Sequence, residues 1–190
     1  MADNVPHTVG RPLDGVGVRL ADNGELLVRG ENVMLGYWRN EEATRAAIDA
    51  EGWLHTGDLA EIRDGRIAIR GRAKDVLVLS NGEKLPPQDV EFAILRDPVF
   101  EQAMLVGEAR PYVVLLAVSQ ETDERTLVKR ANEQLKSFPR WVRVRRVIAT
   151  REPWSVESGL LTPTLKLKRP MIVARYRDRI DAAYATPSTG

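Results

Sequence analysis

Cysteine is absent from this chain of 190 residues, which excludes disulfide bonds and thiolate metal sites. The two histidines, His7 and His55, are too few and too far apart in sequence to form a histidine metal cluster, so we predict no metal site. No apolar run approaches the roughly 20 residues that a membrane-spanning helix needs. The beginning of the chain lacks the basic region and apolar core of a secretory signal. These absences favour a cytoplasmic protein, with peripheral membrane association as the alternative.

An excess of one charge sign is also lacking, because 28 Lys and Arg face 27 Asp and Glu, a net charge of +1. The whole molecule therefore gives no indication of nucleic-acid binding. Residues 140–180 differ, since eleven Lys and Arg stand there against Glu152, Glu157 and Asp178. This local excess could attract an anionic ligand such as a nucleotide phosphate. The alternative is a solvated basic face.

The first half of the chain has the pattern of short strands joined by tight turns. Asn23-Gly24 and Asp64-Gly65 are hairpin signals between apolar segments. The first predicted hairpin joins residues 16–20 to 26–28, and the second joins 59–62 to 67–70. Good helix formers with an acidic first turn predict a helix at 41–48. We therefore predict a small antiparallel sheet or partial barrel.

The second half mixes helical and strand periods, which is typical of an α+β domain. A Pro-Pro pair precedes the first predicted helix, as suits the first helical position. Ile172, Tyr176, Ile180 and Tyr184 recur every four residues and predict one terminal helix. The predicted order is a helix at 87–95, strands at 100–106 and 112–118, a helix at 122–136, a strand at 142–148, a loop at 153–164 and the terminal helix.

The stretch from Gly65 to Glu91 connects these two halves. It predicts a strand, a short charged joint, a second strand, an Asn81-Gly82 turn, a third strand and a helix start. We interpret Arg72 to Lys74 as a pivot between two bodies. The predicted domains are residues 1–71, a small β subdomain, and residues 72–190, a mobile α+β domain.

Two polar positions have a pattern that suits nucleotide chemistry. Asp58 follows a glycine, and a carboxylate held by a glycine turn can accept hydrogen bonds from both hydroxyls of a ribose. The alternative is that Asp58 caps a turn through its own backbone. Lys166 lies in a loop before a helix, where its ammonium group could approach a phosphate or carboxylate that gains charge during a reaction. The alternative is a solvated loop lysine.

Four motifs occur in a fixed order along nearly the whole chain. They are GELLVRGENVMLGYWRNEEAT (24–44), GWLHTGDLAEI (52–62), GRAKDVLVLSNGEKLPPQDVE (71–91) and LTPTLKLKRP (161–170). In this order they resemble the C-terminal part of the AMP-forming acyl-adenylating enzymes, the acyl-CoA synthetase and luciferase superfamily. The wording of the last two motifs resembles the long-chain fatty acid–CoA ligase branch.

The resemblance implies a nucleotide site in the first body. Asp58 matches the carboxylate that holds the ribose hydroxyls of ATP and acyl-AMP, and Arg72 matches a second ribose or phosphate contact. Trp53 and Thr56 are expected to shape the nucleotide pocket. Lys74 matches the hinge position, about which the C-terminal domain swings between an adenylating and a thioester-forming pose.

The resemblance also implies two functional loops in the second body. Lys166 matches the catalytic lysine that reaches the acyl carboxylate and the α-phosphate, with Lys168 as the alternative if the register differs. Leu165 stands where many members have glycine, which raises a question about the flexibility of that loop. The CoA channel is expected to face four consecutive residues, Ser80, Asn81, Gly82 and Glu83.

The family's Ser/Thr/Gly-rich phosphate loop and its magnesium-binding Tyr-Gly-x-Thr-Glu motif do not occur in this sequence. We therefore expect a C-terminal fragment that is inactive alone, with the Mg²⁺ ligands and the acyl pocket in an upstream region. The implied substrates are ATP, a fatty acid and CoA. One alternative is a fragment that loads another acid or a carrier protein, and another is a non-catalytic interaction module of the same fold. The sequence leaves the oligomeric state open.

Overall fold

The structure, a computed structural model, describes residues 8–185, so His7 lies outside the described residues. The chain divides into two compact units, Met1–Val76 and Leu77–Gly190. The sequence-based boundary between residues 71 and 72 falls a little earlier than this division. Each unit has a sheet of its own.

From residue 8 onward, the first unit is a four-stranded antiparallel sheet in the order β1-β2-β3-β4 with one α-helix. Both predicted hairpins and the predicted helix are confirmed. The strand after Trp53 begins earlier than its glycine and polar content indicated. The elements are β1 (Gly17–Leu20), β2 (Glu25–Arg29), α1 (Glu41–Ala47), β3 (Leu54–Arg63), β4 (Arg66–Arg72) and a 3₁₀ turn (Ala73–Asp75).

Local side-chain chemistry explains where these elements begin. Gly24 has a left-handed φ of 83°, and the Asn23 side chain accepts a hydrogen bond from the Glu25 amide at 3.0 Å. Asn-Gly turns of this kind join strands because glycine adopts a positive φ without strain. Asn40 caps α1 by accepting a hydrogen bond from the Ala43 amide at 3.0 Å. Such a cap satisfies an amide that has no partner within the helix.

The apolar core of the first unit is small. Leu26, Ala60 and Ile67 are buried there, with partly buried apolar neighbours around them. Several large apolar side chains of the unit are exposed, among them Leu35 and Trp38. Burial of one sheet face therefore positions β2, β3 and β4, whereas the segment after β2 has little apolar cover.

The second unit has a hairpin, a three-stranded sheet and four helices among its described residues. The predicted hairpin, the predicted strands and the first two predicted helices are confirmed, with small shifts at their ends. The elements are β5 (Leu77–Val78), β6 (Lys84–Leu85), α2 (Pro87–Ile94), β7 (Gln102–Val106), β8 (Val113–Val118), α3 (Glu124–Gln134), β9 (Val144–Thr150), α4 (Arg169–Arg175) and α5 (Arg177–Ala185).

Strand β8 is the centre of this unit, because every one of its residues is buried. It pairs antiparallel with β7 and parallel with β9. The parallel pair requires a crossover, which α3 supplies. One face of the sheet packs against α2 and α3, and the other packs against Trp154, α4 and α5. A strand covered on both faces is expected to be continuously apolar, as VVLLAV is.

The prediction of a single terminal helix was wrong. The chain leaves the helical conformation at Tyr176, which has a φ of −105° and a ψ of 13° and separates α4 from α5. The four-residue spacing is still meaningful, because Ile172, Tyr176 and Ile180 are all buried in one cluster. No helix among residues 8–185 is long and apolar enough to cross a bilayer.

The fold class predicted from the sequence is confirmed, since a small antiparallel β subdomain is followed by an α+β unit. In both units, polar loops connect elements that have buried residues. The candidate functional residues lie in these loops and at the ends of strands.

Candidate functional site

The backbone of β3 departs from the regular extended conformation at Thr56-Gly57-Asp58. Gly57 has a φ of 73°, and its amide donates to a Glu25 carboxylate oxygen at 2.8 Å. The Thr56 hydroxyl donates to the Leu26 carbonyl at 2.7 Å and accepts from the Asp58 amide at 3.1 Å. The predicted nucleotide residue Thr56 thus has a structural role, because it joins β2 to the turn that carries Asp58.

Asp58 and Arg72 are brought together by strand pairing. They are direct partners across β3 and β4, and a register shift between Leu59 and Ala60 separates this end of the ladder from the rest. Such bulges change the direction of side chains near the end of a sheet. The Arg72 Nε lies 3.1 Å from Asp58 Oδ1, and both side chains are partly exposed. A half-exposed ion pair of this kind contributes little to stability, so both groups are available to a ligand.

Glu25 supports the same turn from the neighbouring strand, and sequence reasoning missed it. One of its oxygens accepts from Gly57, and the other lies 3.2 Å from Nδ1 of His55. The His55 Nε2 is 3.8 Å from Asp49. Glu25 lies 32 residues before Gly57, so no local spacing could have indicated the contact.

Two guanidinium groups lie close to the ring of Trp53. Arg19 and Arg29 are 4.5 and 4.6 Å from its ring centroid, distances at which cation–π attraction is expected. The Trp53 amide donates to Asp49 at 2.8 Å. The Trp53 ring therefore contacts side chains of β1 and β2. Its predicted role in shaping a nucleotide pocket stays a prediction.

A cavity of about 690 Å³ lies within the first unit. That volume is in the usual range for small-molecule sites. Three predicted residues, Thr56, Arg72 and Lys74, line it together with Glu25 and His55. The remaining lining residues are Tyr37, Ala43, Ala46, Ala47, Gly57 and Asp75. Asp58 is absent from the lining but contacts Arg72, which belongs to it.

Lys166 lies in a short, exposed, hairpin-like loop of the second unit. Leu161 and Leu167 form an isolated antiparallel bridge, and the Thr162 amide donates to the Lys166 carbonyl at 2.8 Å. The Lys166 amide donates to the Thr162 hydroxyl at 3.1 Å. Leu165 at the tip has a φ of 60° and is 71% exposed. The base of the loop is therefore ordered, while the lysine side chain extends into solvent.

The four predicted CoA-channel residues form the turn between β5 and β6. The Leu79 amide donates to the Glu83 carbonyl at 2.9 Å, and the Glu83 amide donates to the Asn81 side chain at 3.1 Å. Gly82 has a φ of 83°. Ser80, Asn81 and Gly82 are exposed. The turn is thus a defined exposed feature of the second unit.

A buried ion pair in the second unit was also missed. Arg169 Nη2 lies 2.6 Å from each Glu91 carboxylate oxygen, and the Arg169 guanidinium also donates to the Leu105 carbonyl at 3.2 Å. The partners are 78 residues apart in sequence. The sequence pattern would place both Glu91 and Arg169 on solvated helix faces. Their pairing is visible only in the folded structure.

The basic region at 140–180 is divided between paired and exposed side chains. Arg146 pairs with Glu124, whose hydrogen bonds keep the pKa of that guanidinium above its ordinary value. Arg175 pairs with Glu152, and Arg169 pairs with Glu91. Arg140, Arg143, Arg145 and Arg151 are exposed. The prediction of an anion-attracting region stays open, because several of its charges are neutralised locally.

Comparison with known proteins identifies the family. The model of the AMP-binding enzyme C-terminal domain matches residues 74–188, which is more than half of the chain. This chain belongs to the AMP-binding enzymes. The family resemblance stated from the motifs is therefore confirmed.

Two curated relatives of this chain are named as long-chain fatty acid ligases. A chloroplastic long-chain-fatty-acid–[acyl-carrier-protein] ligase of Arabidopsis thaliana is 31% identical over 96% of this chain and 30% of the relative. A long-chain-fatty-acid–CoA ligase of Mycobacterium tuberculosis is 34% identical over 93% of this chain and 34% of the relative. The chain thus spans about a third of the length of these relatives.

Solved structures with the same fold include an adenylation domain and an ATP-bound protein. The adenylation domain of a carboxylic acid reductase from Segniliparus rugosus, in complex with AMP and a carboxylic acid, has a TM-score of 0.81 and is 24% identical. It is matched over 93% of this chain and 32% of that domain. ATP-bound MatB from Rhodopseudomonas palustris has a TM-score of 0.74 at 25% identity, over 93% of this chain and 37% of that enzyme.

The structure brings Thr56, Asp58, Arg72 and Lys74 into one region of the first unit. Lys166 and the Ser80–Glu83 turn belong to the second unit. No cluster of three or more His, Cys, Asp and Glu that could hold a metal occurs in the part of the chain that the structure describes. These residues therefore do not fit a Mg²⁺ site.

Proposed function

We propose that this chain is the C-terminal part of an ATP-dependent, AMP-forming fatty acid–CoA ligase and is inactive alone. The observation that carries the proposal is the clustering of Thr56, Arg72 and Lys74 around one cavity, with Asp58 paired to Arg72. A diol-binding carboxylate beside a guanidinium suits a ribose that carries a phosphate. The fatty acid ligases among the relatives support the acyl substrate.

The roles in this proposal follow from charge. Asp58 accepts hydrogen bonds from the ribose hydroxyls, and Arg72 turns from Asp58 toward the ribose or a phosphate. Thr56 holds the turn that positions Asp58, because its hydroxyl bridges Leu26 and the Asp58 amide. Replacing the Asp58–Arg72 ion pair by ligand contacts is feasible, because a partly exposed pair contributes little to stability.

Lys166 is the catalytic lysine in this proposal. The first half-reaction joins two anions, a carboxylate and the α-phosphate of ATP, and releases pyrophosphate. A cation at the reacting oxygens stabilises the charge that accumulates in the pentavalent transition state. Lys166 suits this role because it is exposed at the tip of an ordered loop.

The second half-reaction transfers the acyl group from acyl-AMP to a thiol and releases AMP. In this proposal the joint at Lys74 lets the second unit present the Ser80–Glu83 turn to pantetheine once Lys166 has withdrawn. Two poses on a short hinge meet the two different demands on one site. The 3₁₀ turn Ala73–Asp75 is a short element of the kind in which hinge residues are found.

The test uses a joined enzyme, defined as this chain fused to the upstream region of an adenylating relative. Acid-dependent exchange between ATP and pyrophosphate is expected in the joined enzyme and not in the chain alone. Asp58→Asn is expected to weaken ATP binding, because an amide offers one acceptor oxygen where the carboxylate offers two. Exchange that survives Asp58→Asn with unchanged ATP affinity would contradict the assignment.

A carrier protein is the second candidate acceptor. The Arabidopsis relative is named as a ligase for acyl-carrier protein, whereas the mycobacterial relative is named for CoA. Titrating CoA and a phosphopantetheinylated carrier protein into the joined enzyme distinguishes them. Faster thioester formation with CoA supports the ligase proposed here, and faster transfer to the carrier overturns that choice of acceptor.

A further inference from the structure

Two ion pairs described in the second unit have a buried carboxylate. One joins Glu91 to Arg169, and the other joins Asp97 to Arg130. The Glu91 side chain is 8% exposed and that of Arg169 is 20% exposed. Glu91 Oε1 also accepts a hydrogen bond from the Leu105 amide at 2.6 Å, and Arg169 donates to the Leu105 carbonyl. The two side chains thus bind the amide and the carbonyl of a single β7 residue, Leu105, so that α2, β7 and α4 meet there.

Arg169 is the first residue of α4 and follows Lys166 by three positions. The base of the loop is fixed by the Leu161–Leu167 bridge and by a hydrogen bond from the Lys168 amide to the Leu160 carbonyl at 2.9 Å. The helix begins without a side-chain cap. The Arg169 guanidinium is therefore a polar contact that ties the downstream end of the loop to α2 and β7, beside the packing of Leu167 against the apolar cluster.

We propose that Glu91 and Arg169 are positioning residues for Lys166, an inference that rests on the proposed function. The planar guanidinium donates to both carboxylate oxygens of Glu91 and to the Leu105 carbonyl, which fixes orientation as well as distance. The loop leaves this fixed point toward solvent. Its exposed lysine is then held at a defined place on the second unit, although nothing packs over the tip.

The same pair connects the two functional loops of the second unit. Glu91 lies on α2, which begins two residues after β6, and β6 follows the Ser80–Glu83 turn. Arg169 lies directly after the Lys166 loop. The ion pair gives both loops one common anchor on β7, so their separation is fixed within the unit.

Hydrogen exchange on the chain as it exists tests the positioning directly. Glu91→Gln is expected to accelerate exchange of the Thr162, Leu165 and Lys168 amides about tenfold relative to the core strands, because bonds to a charged group are stronger than neutral ones. Asp97→Asn is the matched control. Asp97 is equally buried and pairs with Arg130, but it has no contact with the loop, so the three amides should keep their wild-type rates relative to the core.

Arg169→Lys is the second variant and leaves the Glu91 carboxylate with a cationic partner. The ammonium group lacks the fork, so the loop amides should again exchange faster while far-ultraviolet circular dichroism stays unchanged. Loop amides that exchange in step with the core in every folded variant would overturn the proposal, because the pair would then be a general stabilising contact.

The joined enzyme gives an independent readout. Glu91→Gln and Arg169→Lys should slow ATP–pyrophosphate exchange by up to about 100-fold, since small misplacements of a catalytic group have effects of this size. Thioester formation from supplied acyl-AMP should stay close to wild type. If Lys166→Ala has no effect on exchange, the proposed function itself is wrong. If Lys166→Ala removes exchange but the two positioning variants do not slow it, only the positioning is wrong.

Discussion

Two residues with left-handed backbone mark the candidate functional loops. Gly57 has a φ of 73° beside Asp58, and Leu165 has a φ of 60° beside Lys166. Glycine adopts this region without strain, whereas a residue with a side chain is destabilised there by about 1–2 kcal/mol. The chain thus places an unstrained turn next to the ribose candidate and a strained one next to the catalytic candidate.

Gly57→Ala is expected to destabilise the first unit by about 1–2 kcal/mol, because alanine, unlike glycine, is strained in the left-handed conformation. Urea unfolding followed by tryptophan fluorescence measures the loss, since Trp53 immediately precedes β3, the strand that contains Gly57. Gly17→Ala is the matched control. Its φ lies outside that region and its Cβ would meet the nearest atom at 3.4 Å, an ordinary contact. Equal effects of the two substitutions would show that the turn is not strained by a side chain.

Leu165→Gly is expected to leave stability unchanged or slightly raised, because relief of the left-handed strain offsets the larger backbone entropy of unfolded glycine. Leu165→Val should be destabilising, since a β-branched residue tolerates a positive φ poorly. Thermal unfolding of the three proteins provides the comparison. A more stable valine variant would contradict the assignment of strain to this position.

At the scale of elements, the sequence predicted those turns and helix starts that depend only on neighbouring residues. Asn23-Gly24 and Asn81-Gly82 indicated turns that the structure contains, and Pro87 marked the start of α2. The break at Tyr176 had no such signal, because buried residues continue at four-residue spacing on both sides of it. Contacts such as Glu91 with Arg169 and Glu25 with Gly57 depend on the fold, so sequence reasoning did not find them.

The 3₁₀ turn Ala73–Asp75 carries the hinge proposal. Lys74→Pro is expected to spare ATP–pyrophosphate exchange in the joined enzyme and to slow thioester formation, because a fixed φ restricts rotation at the joint. Lys74→Ala is the control, as it removes the charge but keeps the rotation. Equal loss of both half-reactions in the proline variant would argue against a hinge at this residue.

For the molecule as a whole, near-neutral net charge leaves specific ion pairs to determine its acid stability. Hydrogen bonding from Arg130 lowers the pKa of Asp97 below its ordinary value of 3.8 in the folded protein. The unfolded chain then binds more protons as the pH falls through 3.8, so the contribution of this pair to stability is present above that pH and is lost below it.

Asp97→Asn should therefore lower the urea midpoint at pH 7 and flatten its decline between about pH 5 and pH 3, since the group that binds the proton is gone. Urea unfolding at a series of pH values measures both effects. Salt should change the difference little, because the Asp97 side chain is only 7% exposed. If the urea midpoint of the variant falls as steeply with decreasing pH as that of the wild type, other carboxylates determine the loss of stability in acid.

The relative rates of the two half-reactions in Lys166→Ala test the central claim most directly. In the joined enzyme, exchange should fall by about 100- to 1,000-fold, the usual effect of removing one charge-stabilising group, while thioester formation from supplied acyl-AMP stays within about twofold. Lys168→Ala tests the neighbouring register, and Lys129→Ala, an exposed lysine of α3, is the control. Unchanged exchange in Lys166→Ala, or equal loss of both half-reactions, would contradict the account.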